Sequence, residues 1–256
     1  MRLTKPRLGV FKFSSCDGCQ LSILDLEEEL LTLVDSIDIR DFLEASSDSK
    51  GGPYDIALVE GSISTPEEVK RIRKIREESR ILVTIGACAT AGGLQALRNW
   101  NSLDRFKETV YPRPELLQSL DKALSIAAYV SVDYELRGCP ISKDQLVQLF
   151  TATLHGTRPR LPTNAVCFEC KRRANVCVVV ASGVPCLGPV TMDGCGSICP
   201  SYGRGCYGCF GPADVVNLKS YATWLETHGI APSTIDLLVR GINSYSKEFR
   251  EWLESR

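Results

Sequence analysis

Cysteine is the residue type in this chain whose number and spacing could do chemistry, since twelve thiols occur among 256 residues. Four of them are spread through the first part of the chain, at Cys16, Cys19, Cys88 and Cys139. The other eight are concentrated in a short later stretch, at Cys167, Cys170, Cys177, Cys186, Cys195, Cys199, Cys206 and Cys209. Four thiolates are the ligand set of one iron–sulfur cluster. Twelve thiols therefore predict three clusters.

The eight later cysteines divide by spacing into two groups of four. Their order is C-x2-C-x6-C-x8-C followed by C-x3-C-x6-C-x2-C, which favours two sites in succession. A proline follows Cys139 and also Cys199, as it often follows the last ligand of a ferredoxin-type run.

A zinc ribbon is the alternative for this stretch. The pairs Cys167/Cys170 and Cys206/Cys209 could form its two halves. The gap between these pairs is longer than usual, however, and the four cysteines inside it would have no role. We therefore favour iron–sulfur clusters over zinc.

Composition limits the class of protein and its compartment. With 44% hydrophobic residues the chain can bury a full core, so it does not need disulfides to fold. Its first residues are basic but lack an apolar run long enough for a signal peptide or a membrane anchor. The net charge of −1 gives no basic footprint for nucleic acid. We expect a cytoplasmic protein with free thiols, no nucleic-acid partner and no membrane anchor of its own.

The first two-thirds of the chain alternate between strand and helix patterns. Apolar or alternating patterns predict strands at residues 8–13, 36–42, 54–59, 81–85 and 132–136. Helical spacing predicts helices at residues 20–33 and 143–154, and a third helix starting with a capping box formed by Thr65 and Glu68. This alternation is typical of an α/β fold with an open, doubly wound, mostly parallel sheet.

The earlier cysteines share one position relative to these strands. Cys16, Cys19, Cys88 and Cys139 all follow the carboxyl end of a predicted strand, and so does Glu60. Ligands bind at that edge of a doubly wound sheet. We therefore expect the four thiols to converge on one metal site. For Glu60 we expect a carboxylate that accepts hydrogen bonds from nearby loop N–H groups, rather than a proton path or a subunit contact.

Residues 160–212 have a different character from the sheet region. They are rich in glycine and proline with little hydrophobic periodicity, so we expect metal binding rather than an apolar core to order them. Amphipathic helices predicted at 213–227 and 232–254 should pack on this second unit. The predicted domains are thus residues 1–158, with the sheet and the first site, and residues 159–256, a cysteine-rich iron–sulfur domain with two sites and terminal helices.

Several motifs taken together resemble the small subunit of nickel–iron hydrogenases. They are Phe13-Ser-Ser-Cys16-Asp-Gly-Cys19-Gln20, Glu60-Gly61, Gly86-Ala-Cys88-Ala-Thr-Ala-Gly-Gly93, Gly138-Cys139-Pro140 and Cys186-Leu-Gly-Pro189. The resemblance covers about residues 7–212 and is strongest to the cytoplasmic, NADP-linked hydrogenases also called sulfhydrogenases. It implies a flavodoxin-like N-terminal domain followed by a cluster-binding domain.

The resemblance also implies three 4Fe–4S clusters with definite ligands. It assigns Cys16, Cys19, Cys88 and Cys139 to a proximal cluster, Cys167, Cys170, Cys177 and Cys186 to a distal cluster, and Cys195, Cys199, Cys206 and Cys209 to a medial cluster. In other branches of the family a histidine stands at the position of Cys167, and the medial cluster is often 3Fe–4S. Here every position is cysteine. An exchange of Cys177 and Cys186 between the two neighbouring sites stays open.

The partners implied by the resemblance are separate chains. A large subunit would carry the nickel–iron site and bind over the proximal cluster. A flavin-containing diaphorase, reached directly or through another iron–sulfur subunit, would exchange electrons at the distal end. The chain would be the non-catalytic, electron-transfer subunit of an H2:NAD(P)+ oxidoreductase.

Two alternatives belong to other functional classes. The first is a quinone-side iron–sulfur subunit like that of complex I, against which the eight additional cysteines argue, because that subunit carries one cluster. The second is a free ferredoxin-type carrier with no catalytic partner.

Overall fold

A single parallel sheet forms the first part of the protein. The computed structural model describes residues 5–27 and 35–256. Its five strands lie in the order β2-β1-β3-β4-β5. They are β1 (Arg7–Lys12), β2 (Asp38–Phe42), β3 (Tyr54–Glu60), β4 (Ser79–Ile85) and β5 (Tyr134–Leu136). This is the flavodoxin-like order of a doubly wound sheet, so the predicted fold class is confirmed.

Helices follow most strands of the sheet. They are α1 (Gly18–Leu24), α2 (Pro66–Glu77), α3 (Gly86–Ala91), α4 (Leu103–Val110) and α5 (Lys143–Leu154). The prediction for residues 143–154 is confirmed. The helix predicted at residues 20–33 is different, because α1 ends at Leu24 and a turn occupies residues 25–27. Residues 28–33 of that prediction lie outside the described part of the chain.

Both faces of the sheet are covered by apolar side chains. The central strand β3 directs Ile56 and Leu58 into a core shared with α1 and α5, and Ala57 and Val59 into a second core shared with α2. Burial on both faces explains why the sequence of β3 is a continuous apolar run rather than an alternating one.

The second part of the chain consists of short helices and loops. Its helices are α6 (Val166–Arg172), α7 (Val178–Ser182), α8 (Ile198–Ser201), α9 (Leu218–Thr227), α10 (Pro232–Val239) and α11 (Lys247–Glu254). The prediction of one helix over residues 232–254 is wrong, because α10 and α11 are separated by a turn. In that turn Asn243 Nδ2 donates to the backbone oxygens of Gly208 (2.8 Å) and Cys209 (3.0 Å).

The expectation that residues 160–212 lack an apolar core is also wrong. Val166, Leu187 and Val190 are almost fully buried, and they pack in one cluster with side chains of the terminal helices, including Leu225 and Phe249. The terminal helices therefore supply the apolar partners that this segment does not contain itself. Such a core joins residues distant in sequence, so it leaves no local periodicity.

No helix in the described ranges combines the length and the apolar character that crossing a membrane requires.

The predicted capping box at the start of α2 is confirmed and has a second role. Thr65 Oγ1 accepts from Glu68 N at 3.2 Å, and Glu68 Oε2 accepts from Thr65 N at 3.0 Å. Glu68 also accepts from Ser64 N (2.7 Å) and from Ser14 Oγ (3.0 Å). Since Ser14 lies in the loop that leads to Cys16, this carboxylate connects the start of α2 to the cysteine loop after β1.

Replacing Glu68 by alanine should lower the free energy of unfolding by about 2 kcal/mol, because hydrogen bonds to a charged acceptor are among the stronger ones. Glu67→Ala is the matched control on the same helical turn, where only the favourable interaction with the helix dipole is lost, about 0.5 kcal/mol. Urea denaturation of the anaerobically purified protein measures both. Equal losses for the two variants would contradict the role given to Glu68.

Candidate metal centres

Four thiols meet at the carboxyl edge of the sheet, and we call them set one (Cys16, Cys19, Cys88 and Cys139). Cys19 lies in α1, Cys88 in α3 directly after β4, and Cys139 after β5. The thiols are close enough to act on one another electrostatically. Cys88 and Cys139 raise the pKa of Cys19, and Cys139 and Cys16 raise the pKa of Cys88. The structure thus brings together four side chains that the sequence separates widely.

Two glycines allow the backbone to pass directly beside these sulfur atoms. Gly86 (φ +84°) and Gly93 (φ +60°) have left-handed backbone conformations. A Cβ on Gly86 would overlap Sγ of Cys19, and one on Gly93 would overlap Sγ of Cys88. Glycine is therefore required at both positions for conformational and for steric reasons.

Glu60 is buried beside set one, with only 2% of its surface exposed. Its Oε1 accepts from Cys19 N (3.2 Å), and its Oε2 accepts from Gln20 Nε2 (2.9 Å). Burial raises the pKa of Glu60, and these two hydrogen bonds oppose that effect. The expectation of a carboxylate that accepts from the loop agrees with this geometry. Gln20 was not predicted, although its position directly after the C-x2-C pair was a signal.

The second group, set two (Cys167, Cys170, Cys177 and Cys186), lines one cavity of about 640 Å³. Cys167 and Cys170 lie on α6, and Cys177 directly precedes α7. Sγ of Cys186 accepts from the backbone N–H groups of Gly188 (3.3 Å) and Cys206 (3.1 Å). Backbone donors aimed at sulfur are the surroundings in which a negatively charged thiolate is stabilised.

The third group, set three (Cys195, Cys199, Cys206 and Cys209), is situated between the other two. Cys209 interacts electrostatically with Cys195 and Cys199 of its own set and also with Cys139 of set one. At the other side, Cys206 donates its backbone N–H to Cys186 of set two. The three sets therefore follow one another in space in the order one, three, two.

Burial has the same effect on thiols in all three sets. It raises the pKa of Cys88 and of Cys167 to about 11 and that of Cys209 to about 12, and neighbouring cysteines add to each increase. Burial also raises the pKa of Cys19 and Cys206. Such thiols remain protonated near neutral pH unless a bound metal replaces the proton.

The donor chemistry of the three sets suits iron–sulfur clusters. Tetrahedral zinc at 2.3 Å from each sulfur would need sulfurs about 3.8 Å apart. A four-iron cluster binds four thiolates through different irons and so accepts a wider spacing. The all-thiol donor sets fit iron–sulfur clusters.

Two supporting side chains were missed because their sequence positions gave no signal. Tyr221 OH donates to the backbone oxygen of Cys186 at 2.6 Å, and Asn243 holds the loop of Cys209. Both belong to the terminal part of the chain, far in sequence from the cysteines they support.

The chain is similar in sequence to a family of oxidoreductase subunits and to a subunit of a known hydrogenase. Residues 16–153 match the family described as NADH ubiquinone oxidoreductase, 20 Kd subunit. The sulfhydrogenase 2 subunit delta of Pyrococcus furiosus is 37% identical over 207 residues, which cover 81% of this chain and 86% of that protein.

Solved structures are similar over both parts of the chain. A chain of an NAD+-reducing nickel–iron hydrogenase in the H2-reduced state superposes with a TM-score of 0.58 at 32% identity, covering 62% of this chain and 96% of that one. A chain of the actinobacterial-type NiFe-hydrogenase from Ralstonia eutropha H16 has a TM-score of 0.61 at 17% identity and covers 99% of this chain and 90% of that one. The second similarity concerns the fold alone, and it includes the cysteine-rich part.

Replacing Gly86 by alanine should displace the loop around Cys19 and lower the iron content of the anaerobically purified protein. Gly156→Ala is the control, because Gly156 also has a positive φ (+66°) but no atom lies within 4 Å of its added Cβ. Each variant should lose roughly 1–3 kcal/mol of stability from backbone strain. Only Gly86→Ala should also lose iron. Iron loss of the same size in Gly156→Ala would show that strain, not contact with the sulfur, is responsible.

Proposed function

The chain belongs to the small subunits of nickel–iron hydrogenases, which makes it part of an oxidoreductase complex, and we propose that it conducts electrons through three 4Fe–4S clusters. Set one holds the proximal cluster, set three the medial cluster and set two the distal cluster. When bound, the clusters supply one-electron redox chemistry. The protein itself holds the thiolates, buries Cys19, Cys186 and Cys206 away from water, and directs backbone N–H groups at the sulfur of Cys186.

The continuity of the three sets is the observation that carries this proposal. Cys209 is in electrostatic reach of Cys139, and the N–H of Cys206 contacts Sγ of Cys186. A relay needs such an uninterrupted series, whereas independent structural sites do not.

The assignment of ligands within the later stretch has separate support. Cys167 interacts with Cys186, Cys170 and Cys177, in that order of strength. Cys209 interacts most strongly with Cys195 and then with Cys199. These neighbours favour keeping Cys177 in set two. Cys186 lies beside Cys167 of set two and also beside Cys206 of set three.

The partners follow from the two ends of the relay. We propose that a nickel–iron large subunit covers set one and that a flavin-containing diaphorase, directly or through another iron–sulfur subunit, docks at set two in the cytoplasm. Cys177 is exposed, and beside it Val176 (72% exposed), Val215 (89%) and Trp224 (36%) line the same cavity. Exposed apolar side chains around a redox site are typical of a protein-docking surface.

The same proposal keeps residues 1–158 and 159–256 as two domains. The first contains the sheet and set one, and the second contains sets two and three.

A quinone-side subunit like that of complex I is the second candidate. The family match over residues 16–153 favours it, since that family is named after NADH ubiquinone oxidoreductase. It accounts for set one but leaves the eight cysteines of sets two and three without a role. A free ferredoxin-type carrier accounts for all three sets, and purification as a stable, partner-free monomer would favour it.

The first test is the content of iron, acid-labile sulfide and zinc per chain in anaerobically purified complex. We expect about twelve iron and twelve sulfide, four of each per cluster. About four iron together with zinc would leave one cluster on set one and make the cysteine-rich stretch a zinc domain. That result would contradict the electron relay.

A break in the middle of the relay tests the proposed order of the three sets. Cys195→Ala should lower H2-dependent reduction of the physiological acceptor at least tenfold, because electrons must pass set three. Exchange of H2 with D2O should remain near its original rate, since that reaction needs only the large subunit. If acceptor reduction survives at full rate with the medial cluster absent, the order of the sets is wrong.

A further inference from the structure

Glu169 lies between the two cysteines of the first C-x2-C pair in set two, yet its side chain contacts set three. Its Oε1 accepts from Gly194 N at 2.9 Å, and its Oε2 accepts from Ser197 N at 3.0 Å. The same Oε2 is 3.9 Å from Sγ of Cys195. By sequence position alone, a role in set two would be expected.

The loop that Glu169 contacts has an unusual backbone. Gly194 (φ +127°), Gly196 (φ +68°) and Ser197 (φ +51°) all have positive φ values, and Ser197 is fully buried. Non-glycine residues adopt this conformation only when their surroundings enforce it. The N–H groups of Gly194 and Ser197 in this loop both point at the carboxylate of Glu169, one at each of its oxygens.

The segment after Glu169 strengthens this attachment. Asn175 Nδ2 donates to Ser197 Oγ at 3.1 Å and to Ser201 Oγ at 3.0 Å. The guanidinium of Arg173 lies beside Gly196. Several polar contacts thus join helix α6 and the residues after it to the loop that contains Cys195. Glu169 makes the contacts that lie nearest to Cys195 itself.

The charge of Glu169 reaches the thiol itself. Its Oε2 lies 3.9 Å from Sγ of Cys195, closer to a sulfur of set three than the two backbone contacts alone require. A negative charge this close to a ligand disfavours the added electron of a reduced cluster, since the net charge around a cluster sets its potential.

We propose that Glu169 is a positioning residue for set three. It holds the Cys195 loop through two backbone N–H groups, and its charge lowers the reduction potential of the cluster bound there. The inference rests on the proposed function, because it requires a cluster on set three.

The test is an anaerobic potentiometric titration of the purified complex, followed by electron paramagnetic resonance. Glu169→Gln removes the charge at nearly constant size. It should raise the midpoint potential of one cluster by at least 59 mV, which is a tenfold change in a one-electron equilibrium. Iron and sulfide contents should stay at the wild-type level, and Glu169→Asp, which keeps the charge, should shift the potential less.

Two control variants show which cluster responds. Lys171 lines the cavity of set two, and its charge acts on Cys167. Lys171→Gln should therefore lower a midpoint different from the one that Glu169→Gln raises. Glu251→Gln removes an exposed carboxylate on α11 and should change none of the three.

Three results would overturn the proposal. A shift of the same midpoint by Glu169→Gln and Lys171→Gln would assign Glu169 to set two. Unchanged midpoints at full iron content would exclude an effect of its charge. Equal iron loss in Glu169→Gln and Glu169→Asp would make the residue purely structural. Failure of the proposed function is recognised separately, since the wild-type complex would then contain fewer than three clusters.

Discussion

The burial of negatively charged sulfur is the constraint on which the rest of the structure depends. Clusters need thiolates, but burial of a cysteine away from water favours its neutral thiol. The raised pKa values of Cys88 and Cys209 show this effect. Cluster binding must therefore supply positive charge and release protons, so the affinity of this chain for its clusters depends on pH. Other features serve the same requirement. Glycines let the backbone approach sulfur, and N–H groups such as that of Cys206 are directed at Sγ of Cys186.

Set three shows how the two parts of the chain depend on each other. Phe210 is almost fully buried against Gly138 on the sheet side and against Gly194 on the cysteine-rich side. Further away, Trp100 Nε1 donates to Ser244 Oγ at 3.1 Å, and Arg240 stacks over the same indole ring at 4.9 Å. The middle of the proposed relay lies where the two parts meet. A change in the packing of the two parts would therefore alter the geometry of set three before that of the other sets.

Features encoded by local patterns could be predicted from the sequence. The strands of the sheet, the capping box at Thr65 and helix α5 were all predicted, because each depends on residues a few positions apart. The break between α10 and α11 could not be. It is stabilised by Asn243 bonding to Gly208 and Cys209, more than thirty positions earlier. The apolar core under residues 160–212 was missed for the same reason, since its partners lie in the terminal helices.

The position of a charged residue in a motif does not determine which site it affects. Glu169 and Lys171 are two residues apart on α6, so they point in different directions around the helix. Glu169 reaches the loop of Cys195, whereas Lys171 lines the cavity of set two. In the relay that we propose, the carboxylate disfavours an added electron on set three, and the ammonium group favours one on set two. One short helix therefore makes the step from set three to set two more favourable, toward the end where we propose that the electron acceptor docks.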